Sequence, residues 1–296
     1  MMRSVGRFGP VKVAGLVGWK LRYDLLAVLV VAAAMAHFAN SPLLRSAEPV
    51  VPLLGVVVSI FIGFRNSSAY SRWWEARTLW GSVVVNCRAM NNALVAVDNC
   101  KPEMQPIAER MRRRQVRHAW QLAAELRRVP ASPELSEVTP EDPPDAPSGA
   151  LLMLQAADIR DLMAGDMIDR QGRTLLTNLN TAQATAAGGL ERIRNEPIPI
   201  YYAVFVRTLA WTFAILVCTK MGSGGHEGLA GMAVGFLIMT IFIVAERLGC
   251  FIEEPMNNTV FDLAMNRFCA VITTDLLGPN HPLARPRESA RALVWM

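Results

Sequence analysis

Residues 50–81 constrain the fold of this chain more than any other stretch, and they read VVPLLGVVVSIFIGFRNSSAYSRWWEARTLWG. The first half, residues 50–64, is uncharged and almost wholly apolar, which is typical of a segment inside a hydrocarbon core. From Arg65 onward, charged side chains alternate with tryptophans at helical spacing. The pattern predicts one continuous helix that leaves a membrane and enters an aqueous protein layer.

Composition agrees with a membrane protein that also has a sizeable water-facing part. Of the 296 residues, 52% are hydrophobic and 19% carry a charge. The formal net charge is +5, but no compact Lys/Arg patch with interleaved aromatic residues indicates a nucleic-acid site. A basic membrane protein that keeps its positive charge on the cytoplasmic side is the simpler interpretation.

Four apolar runs predict four transmembrane helices. They are residues 25–39, 50–64, 200–219 and 228–245. The third run contains Arg207, which is costly in lipid and is therefore predicted to face protein or water. Arginine and lysine crowd the same side of all four runs, so the positive-inside rule predicts that both termini and residues 65–194 are cytoplasmic.

Residues 65–194 are predicted to form a mainly helical domain. Within it, residues 104–128 form a strongly basic amphipathic helix, and its arginines are predicted to lie on a solvated face, with a lipid-headgroup or acidic-partner site as the alternative. These arginines are Arg110, Arg112, Arg113, Arg114 and Arg117. Residues 129–149 are rich in proline and acid, and they are predicted to be an exposed, mobile and disordered linker.

The residue chemistry argues against an enzyme. The four histidines lie in different segments, and neither a nucleophile elbow nor a glycine-rich phosphate loop precedes a suitable helix. The five cysteines show no CxxC pair and no metal-ligand spacing. No cofactor and no metal site are predicted.

Two segments resemble a known family. FRNSSAYSRWWEARTLWG, residues 64–81, closely resembles the most distinctive segment of the bestrophin family in its bacterial branch, and GGLERIRNEPIPIYY, residues 188–202, resembles a second signature of that branch. The resemblance implies an all-α membrane protein with four transmembrane helices per subunit and a helical cytoplasmic domain. It also implies a homopentameric ion channel whose pore is lined by the second span.

The combined prediction divides the chain into four parts. Residues 1–64 hold the first two transmembrane helices, 65–194 the cytoplasmic helical domain, 195–246 the third and fourth transmembrane helices, and 247–296 a C-terminal cytoplasmic helix and tail. The predicted location is the bacterial inner membrane, crossed several times.

The predicted pore neck consists of Val56, Ile60 and Phe64. These residues recur every four positions and so share one face of a helix, although any transmembrane helix has apolar residues at that spacing. The resemblance aligns them with the narrow hydrophobic constriction of bestrophins, which implies a hydrophobic gate. Just beyond it, Asn66, Ser67 and Ser68 are predicted to offer polar groups to an ion at the neck exit, with local hydrogen bonding as the alternative.

The chain departs from the family in two places. Animal bestrophins carry a calcium-binding acidic run after the fourth span, but here Glu253, Glu254 and Asp262 are separated by apolar and amide residues, so calcium gating is not expected. A second constriction, usually aliphatic in the family, is expected near residues 168–174, where Asp169, Arg170 and Gln171 predict a more polar lining.

The predicted function is a pentameric channel for small monovalent ions. Resemblance to bacterial members favours cations, and an anion channel of the same family is the alternative, because no ring of acidic or basic side chains settles selectivity. A non-conducting membrane scaffold that binds an acidic partner stays open as another alternative. A secondary transporter is less favoured because inverted repeats and broken, charge-bearing spans are lacking.

Overall fold

The structure of the protein is a computed structural model that describes residues 10–38, 48–99, 101–222, 228–257 and 262–285. The described residues form nine α-helices, joined by loops and two short 3₁₀ turns. The helices are α1 (Pro10–Phe38), α2 (Val51–Ala96), α3 (Met104–Arg127), α4 (Glu134–Val138), α5 (Ser148–Ala164), α6 (Arg170–Asn195), α7 (Ile200–Gly222), α8 (Gly228–Glu253) and α9 (Met265–Leu277). The predicted all-α class is confirmed.

Helix α2 is continuous over 46 residues, as residues 50–81 predicted. A helix needs only about 20 residues to cross a hydrocarbon core, so α2 is more than twice as long as a span requires. The chain divides into two compact units, and the division falls within this helix. Unit 1 is Met1–Tyr70 with Ile198–Glu253, and unit 2 is Ser71–Pro197 with Glu254–Met296.

Three helices among the described residues are long and apolar enough to cross a membrane. They are Val51–Ala96, Ile200–Met221 and Ala230–Glu253. The remaining predicted span, residues 25–39, lies in α1 up to Phe38, and Ala39 lies outside the described residues. Its apolar run is short and follows Lys20, Arg22 and Asp24, so the structure supports three of the four predicted spans by length and composition.

The core of unit 1 forms where α2 packs against α7 and α8. Val58 and Ile62 of α2 are buried with Phe213 of α7 and Ile243 of α8. Gly55 permits the close approach, because a Cβ atom at this position would lie 3.0 Å from the Phe213 ring. One face of α2 is therefore covered within the chain.

The core of unit 2 is built around the second half of α2. Trp80 is fully buried and stacks on Phe268 of α9 with ring centroids 5.9 Å apart. Leu122 of α3 and Leu190 of α6 belong to the same apolar cluster. Unit 2 thus has its own hydrophobic core, as expected for a folded water-facing domain.

Residues 129–149 contradict the prediction of a disordered linker. They include helix α4 (Glu134–Val138), and Leu135, Thr139, Asp142 and Ala146 are all buried. The segment lacks a large apolar content, but its polar groups have buried partners. Arg117 of α3, which is 0% exposed, donates to Thr139 Oγ1 at 2.8 Å and to the carbonyl oxygens of Pro143 and Pro144 at 2.5 and 2.9 Å.

The basic face of α3 was also predicted wrongly for two of its arginines. Arg114 forms a bidentate pair with Asp142, with N–O distances of 2.6 and 2.8 Å, and also binds Asp158. The side chains of Arg114, Asp142 and Asp158 are each at most 6% exposed. Burial acts to raise the pKa of Asp142, but the hydrogen bonds and charge of Arg114 outweigh it and hold this pKa below its usual range. The charge of the helix is therefore neutralised largely inside the chain.

His118 gives unit 2 an expected sensitivity to acid. Its ring is fully buried, and Nδ1 lies 3.1 Å from the carbonyl oxygen of Ser148. Burial lowers the pKa of His118 from its usual 6.5 to about 4. Between these two values the unfolded chain binds a proton that the folded chain does not. We therefore expect acidification through this range to remove up to about 3 kcal/mol of stability, all of it present above pH 6.5.

The measurement is the thermal unfolding midpoint of the detergent-solubilised protein at pH values from 7.5 to about 4, the end of the expected window. His118→Asn is the matched control, because the amide keeps a donor towards Ser148 but does not titrate. The variant should lose less stability than the native protein over this range. Equal losses would contradict the assignment.

Candidate functional site

The predicted neck residues lie together on an uncovered face of α2. Val56, Ile60 and Phe64 are 59%, 50% and 64% exposed, whereas Val58 and Ile62 between them are buried. The helix therefore presents an apolar stripe, defined here as Val56, Ile60 and Phe64, on the side opposite Val58 and Ile62. Among the described residues, none buries the side chains of this stripe.

Exposure alone does not distinguish pore lining from contact with lipid. Leu237 of α8 is 57% exposed and Val204 of α7 is also 57% exposed, and both belong to helices long enough to span a membrane. What sets the stripe apart is its place in the sequence, because it leads directly into charged and polar residues on the same helix.

An apolar groove of about 540 Å³ adjoins the stripe within unit 1. Val56 and Ile60 line it from α2, and Phe213 and Val217 line it from α7. Ser59 also contributes, but its hydroxyl donates to the carbonyl oxygen of Gly55 at 2.7 Å. The surface beside the stripe is therefore apolar and is suited to packing against another apolar surface.

The three predicted neck-exit residues differ in their surroundings. Ser67 and Ser68 are exposed, so their hydroxyl groups are accessible in a single chain. Asn66 instead turns into the protein, and its Nδ2 donates to the carbonyl oxygen of Ala245 at 3.1 Å. Ser67 follows Ile60 by seven residues and so continues the face of the stripe.

Sequence reasoning missed a buried ion cluster beside the stripe. Arg65 is 2% exposed and lies 2.8 Å from Glu246 and 3.2 Å from Glu253, both on α8. Arg207 of α7, predicted to face protein or water, is 41% exposed and its Nε lies 3.7 Å from Glu246. The available signal was the spacing of Glu246 and Glu253, which are seven residues and about two helical turns apart.

The region expected to hold a second constriction forms the start of α6. Ile168 is buried in the core of unit 2, so its side chain is not available to line a path in this chain. Asp169 caps the helix by accepting a hydrogen bond from the Gly172 N–H at 2.6 Å. Arg170 and Gln171 are exposed, which leaves polar side chains on the accessible surface.

The acidic residues that begin at the C-terminal end of α8 are partly engaged within the chain. Glu253 pairs with Arg65, and no group of three or more His, Cys, Asp or Glu side chains suited to a metal ion occurs among the described residues. The oxygens of Glu253 are therefore directed to a guanidinium group rather than to a cluster of acids.

Comparison with known proteins places these features in a family. The family model described as "Bacterial/Fungal Bestrophin protein" matches residues 13–278. The "Voltage-dependent anion channel-forming protein YneE" of Salmonella typhi is 29% identical over 235 residues, which cover 77% of this chain and 75% of that protein. The protein of the same name in Escherichia coli K12 is 29% identical over 243 residues, covering 80% and 78%.

The fold also matches a solved structure. The crystal structure of a bacterial bestrophin homologue from Klebsiella pneumoniae superposes with a TM-score of 0.79 at 24% sequence identity, covering 88% of this chain and all of that one. Both sequence signatures, residues 64–81 and 188–202, lie inside the region matched by the family model. The chain belongs to the bacterial and fungal bestrophin family.

Proposed function

We propose that this protein is a membrane ion channel in which several copies enclose a path lined by the apolar stripe of α2. The uncovered stripe is the observation that carries the proposal, because a face with large apolar side chains, next to exposed serines on the same helix, fits a narrow dehydrated constriction that opens into water. Family membership supports it, as do the channel names of the relatives.

The proposed assembly is a homopentamer with four transmembrane helices per subunit, α1 supplying the fourth. A single α2 helix cannot surround a path for ions, so several copies of the chain are needed. The resemblance to bestrophins favours five. Native mass spectrometry in mild detergent measures the number of copies. A monomer, or an assembly of any number other than five, would contradict the proposal.

Anions are the proposed permeant ions. Resemblance to bacterial members favoured cations in the sequence analysis, but the curated relatives are named as anion channel-forming proteins. The names favour the anion alternative. The scaffold alternative is weakened, because Arg114 is buried in an ion pair with Asp142 and Arg117 is buried and hydrogen-bonded to Thr139, so neither is available to an acidic partner.

Reconstitution in planar bilayers tests conduction and selectivity together. Under a KCl gradient, an anion channel gives a reversal potential close to the equilibrium potential of Cl⁻, and a cation channel gives one close to that of K⁺. A transporter would show coupled, slow flux, and a scaffold would show none. A reversal potential near that of K⁺ would overturn the anion proposal.

The proposed orientation in the bacterial inner membrane places both termini in the cytoplasm. It follows from the arginines and lysines that flank the spans. We expect a membrane-impermeant thiol reagent to label Ser46→Cys or Ser223→Cys from outside intact cells and Ser132→Cys only after the membrane is opened. The reverse pattern would overturn the orientation.

A further inference from the structure

The side chain of Arg65, the residue that follows the apolar stripe, points into the protein. Phe64 is 64% exposed, whereas Arg65 is 2% exposed. Successive residues of an α-helix are rotated by about 100°, so the buried position of Arg65 fixes the direction in which Phe64 points. Whatever holds Arg65 therefore also fixes the rotation of the stripe about the axis of α2.

Arg65 is held from two helices at once. Its Nη1 donates to Glu246 Oε1 at 2.8 Å, and its Nη2 donates to Glu253 Oε2 at 3.2 Å. Nη1 also lies 3.4 Å from the carbonyl oxygen of Ala203 on α7. Because Glu246 and Glu253 are about two turns apart on one face of α8, the guanidinium of Arg65 is fixed at two points along that helix.

A second contact holds α2 one residue further on. Asn66 donates to the carbonyl oxygen of Ala245 on α8 at 3.1 Å. Gly249 makes room for it, because a Cβ atom at position 249 would lie 2.1 Å from Asn66 Oδ1. Gly249 lies between the two glutamates on α8, so the close packing and the ion cluster occupy the same stretch of helix.

We propose that Arg65 and Asn66, held by Glu246, Gly249 and Glu253, set the rotation of α2 and so keep Ile60 and Phe64 directed at the ion path. These are positioning residues, since they act through the stripe and not on the ion. The inference rests on the proposed function of the stripe. Rotation of α2 would pull the guanidinium from its carboxylates and leave buried charges unpaired, which the protein interior disfavours strongly.

Glu246→Gln tests the clamp with little change of shape. The substitution removes the nearer of the two carboxylate charges that hold Arg65. Helix α2 then gains rotational freedom, and Ile60 and Phe64 are directed at the ion path for less of the time. We expect ion flux into liposomes to rise by about threefold or more. When Ile60→Ala and Phe64→Ala are already present, the same substitution should change flux by less than about 1.5-fold, because no large ring is left to position.

Gly249→Ala provides an independent test of the same idea. The added methyl group collides with Asn66 and displaces α2 without removing any charge. We expect Gly249→Ala to raise flux when Ile60 and Phe64 are present. It should change flux by less than about 1.5-fold when both are already alanine. It also carries the test if Glu246→Gln does not assemble.

Asp24→Asn is the matched control. It breaks an ion pair of 2.8 Å between Asp24 of α1 and Arg247 of α8, which lies in the same unit but joins two helices other than α2. The two side chains are 25% and 17% exposed, and because the pair does not join α2 to another helix, flux should stay within about 1.5-fold of the native value. A comparable rise in flux for Asp24→Asn would show that breaking any ion pair in unit 1 raises flux. That result would overturn the inference.

The outcomes separate the inference from the function on which it depends. If the Ile60→Ala, Phe64→Ala protein conducts no more than the native one, the proposed role of the stripe fails. If that protein conducts more, but Glu246→Gln and Gly249→Ala leave flux unchanged or raise it equally in both backgrounds, only the positioning role is overturned. Gel filtration of every variant establishes that the assemblies are intact.

Discussion

Ile60→Ala is expected to raise ion flux through the reconstituted channel by about tenfold or more, since each 1.4 kcal/mol removed from a barrier gives a factor of ten. In the proposed assembly, several copies of Ile60 around one axis would form a narrow apolar ring, and the barrier to an ion in such a ring is mainly its lost hydration. Alanine widens the ring and lets water remain. Ion preference should change little because no charge is altered.

Leu237→Ala is the matched control for this prediction. Leu237 is 57% exposed and Ile60 is 50% exposed, so the two substitutions remove similar apolar groups from similarly uncovered positions of unit 1. The control should leave flux nearly unchanged. An unchanged flux for Ile60→Ala, in assemblies that remain intact by gel filtration, would show that this ring does not set the barrier. Phe64→Ala tests the next ring in the same way.

Arg114→Met is expected to lower the stability of unit 2 by about 3–5 kcal/mol, which is typical when one partner is removed from a buried ion cluster. Methionine replaces much of the volume but leaves Asp142 buried without its guanidinium partner, and Asp158 keeps only Arg110. The change should appear as a large fall in the thermal unfolding midpoint of the detergent-solubilised protein.

Arg113→Met is the control on the neighbouring residue. Arg113 pairs with Glu141 at 2.8 Å, but both side chains are about one-third exposed, so its loss should cost about 1 kcal/mol or less. A further variant that combines Arg114→Met with Asp142→Asn should recover part of the loss, because it removes the negative charge that Arg114 alone paired, whereas Asp158 keeps Arg110 as a partner at 2.6 Å. Equal shifts for Arg113→Met and Arg114→Met would contradict the role given to the buried cluster.

The helix and the stripe could be predicted because both depend on local periodicity. Val56, Ile60 and Phe64 share a face through spacing alone, and the continuity of α2 follows from a run with no proline after its first turn. The assignment of that face to a pore required the resemblance to bestrophins, since apolar spacing is common to all transmembrane helices.

The buried charges could not be predicted in the same way. Arg114 and Asp142 are 28 residues apart, and Arg65 and Glu246 are 181 residues apart. Local pattern indicates only that α3 is basic and that residues 129–149 are acidic. That the two pair, and that this pairing orders a proline-rich segment, depends on tertiary contacts which periodicity does not contain.

The distance in sequence between Arg65 and Glu246 bears on how the protein is made. At about 5–20 residues per second, the ribosome adds Glu246 roughly 10 to 40 seconds after Arg65. Throughout that interval α2 carries a cation without its nearer acceptor, so Arg65 cannot be buried as the ion pair seen in the structure until α8 has been added. If Arg65 sets the rotation of α2 as proposed, the stripe is therefore oriented only after α8 has been added to the chain.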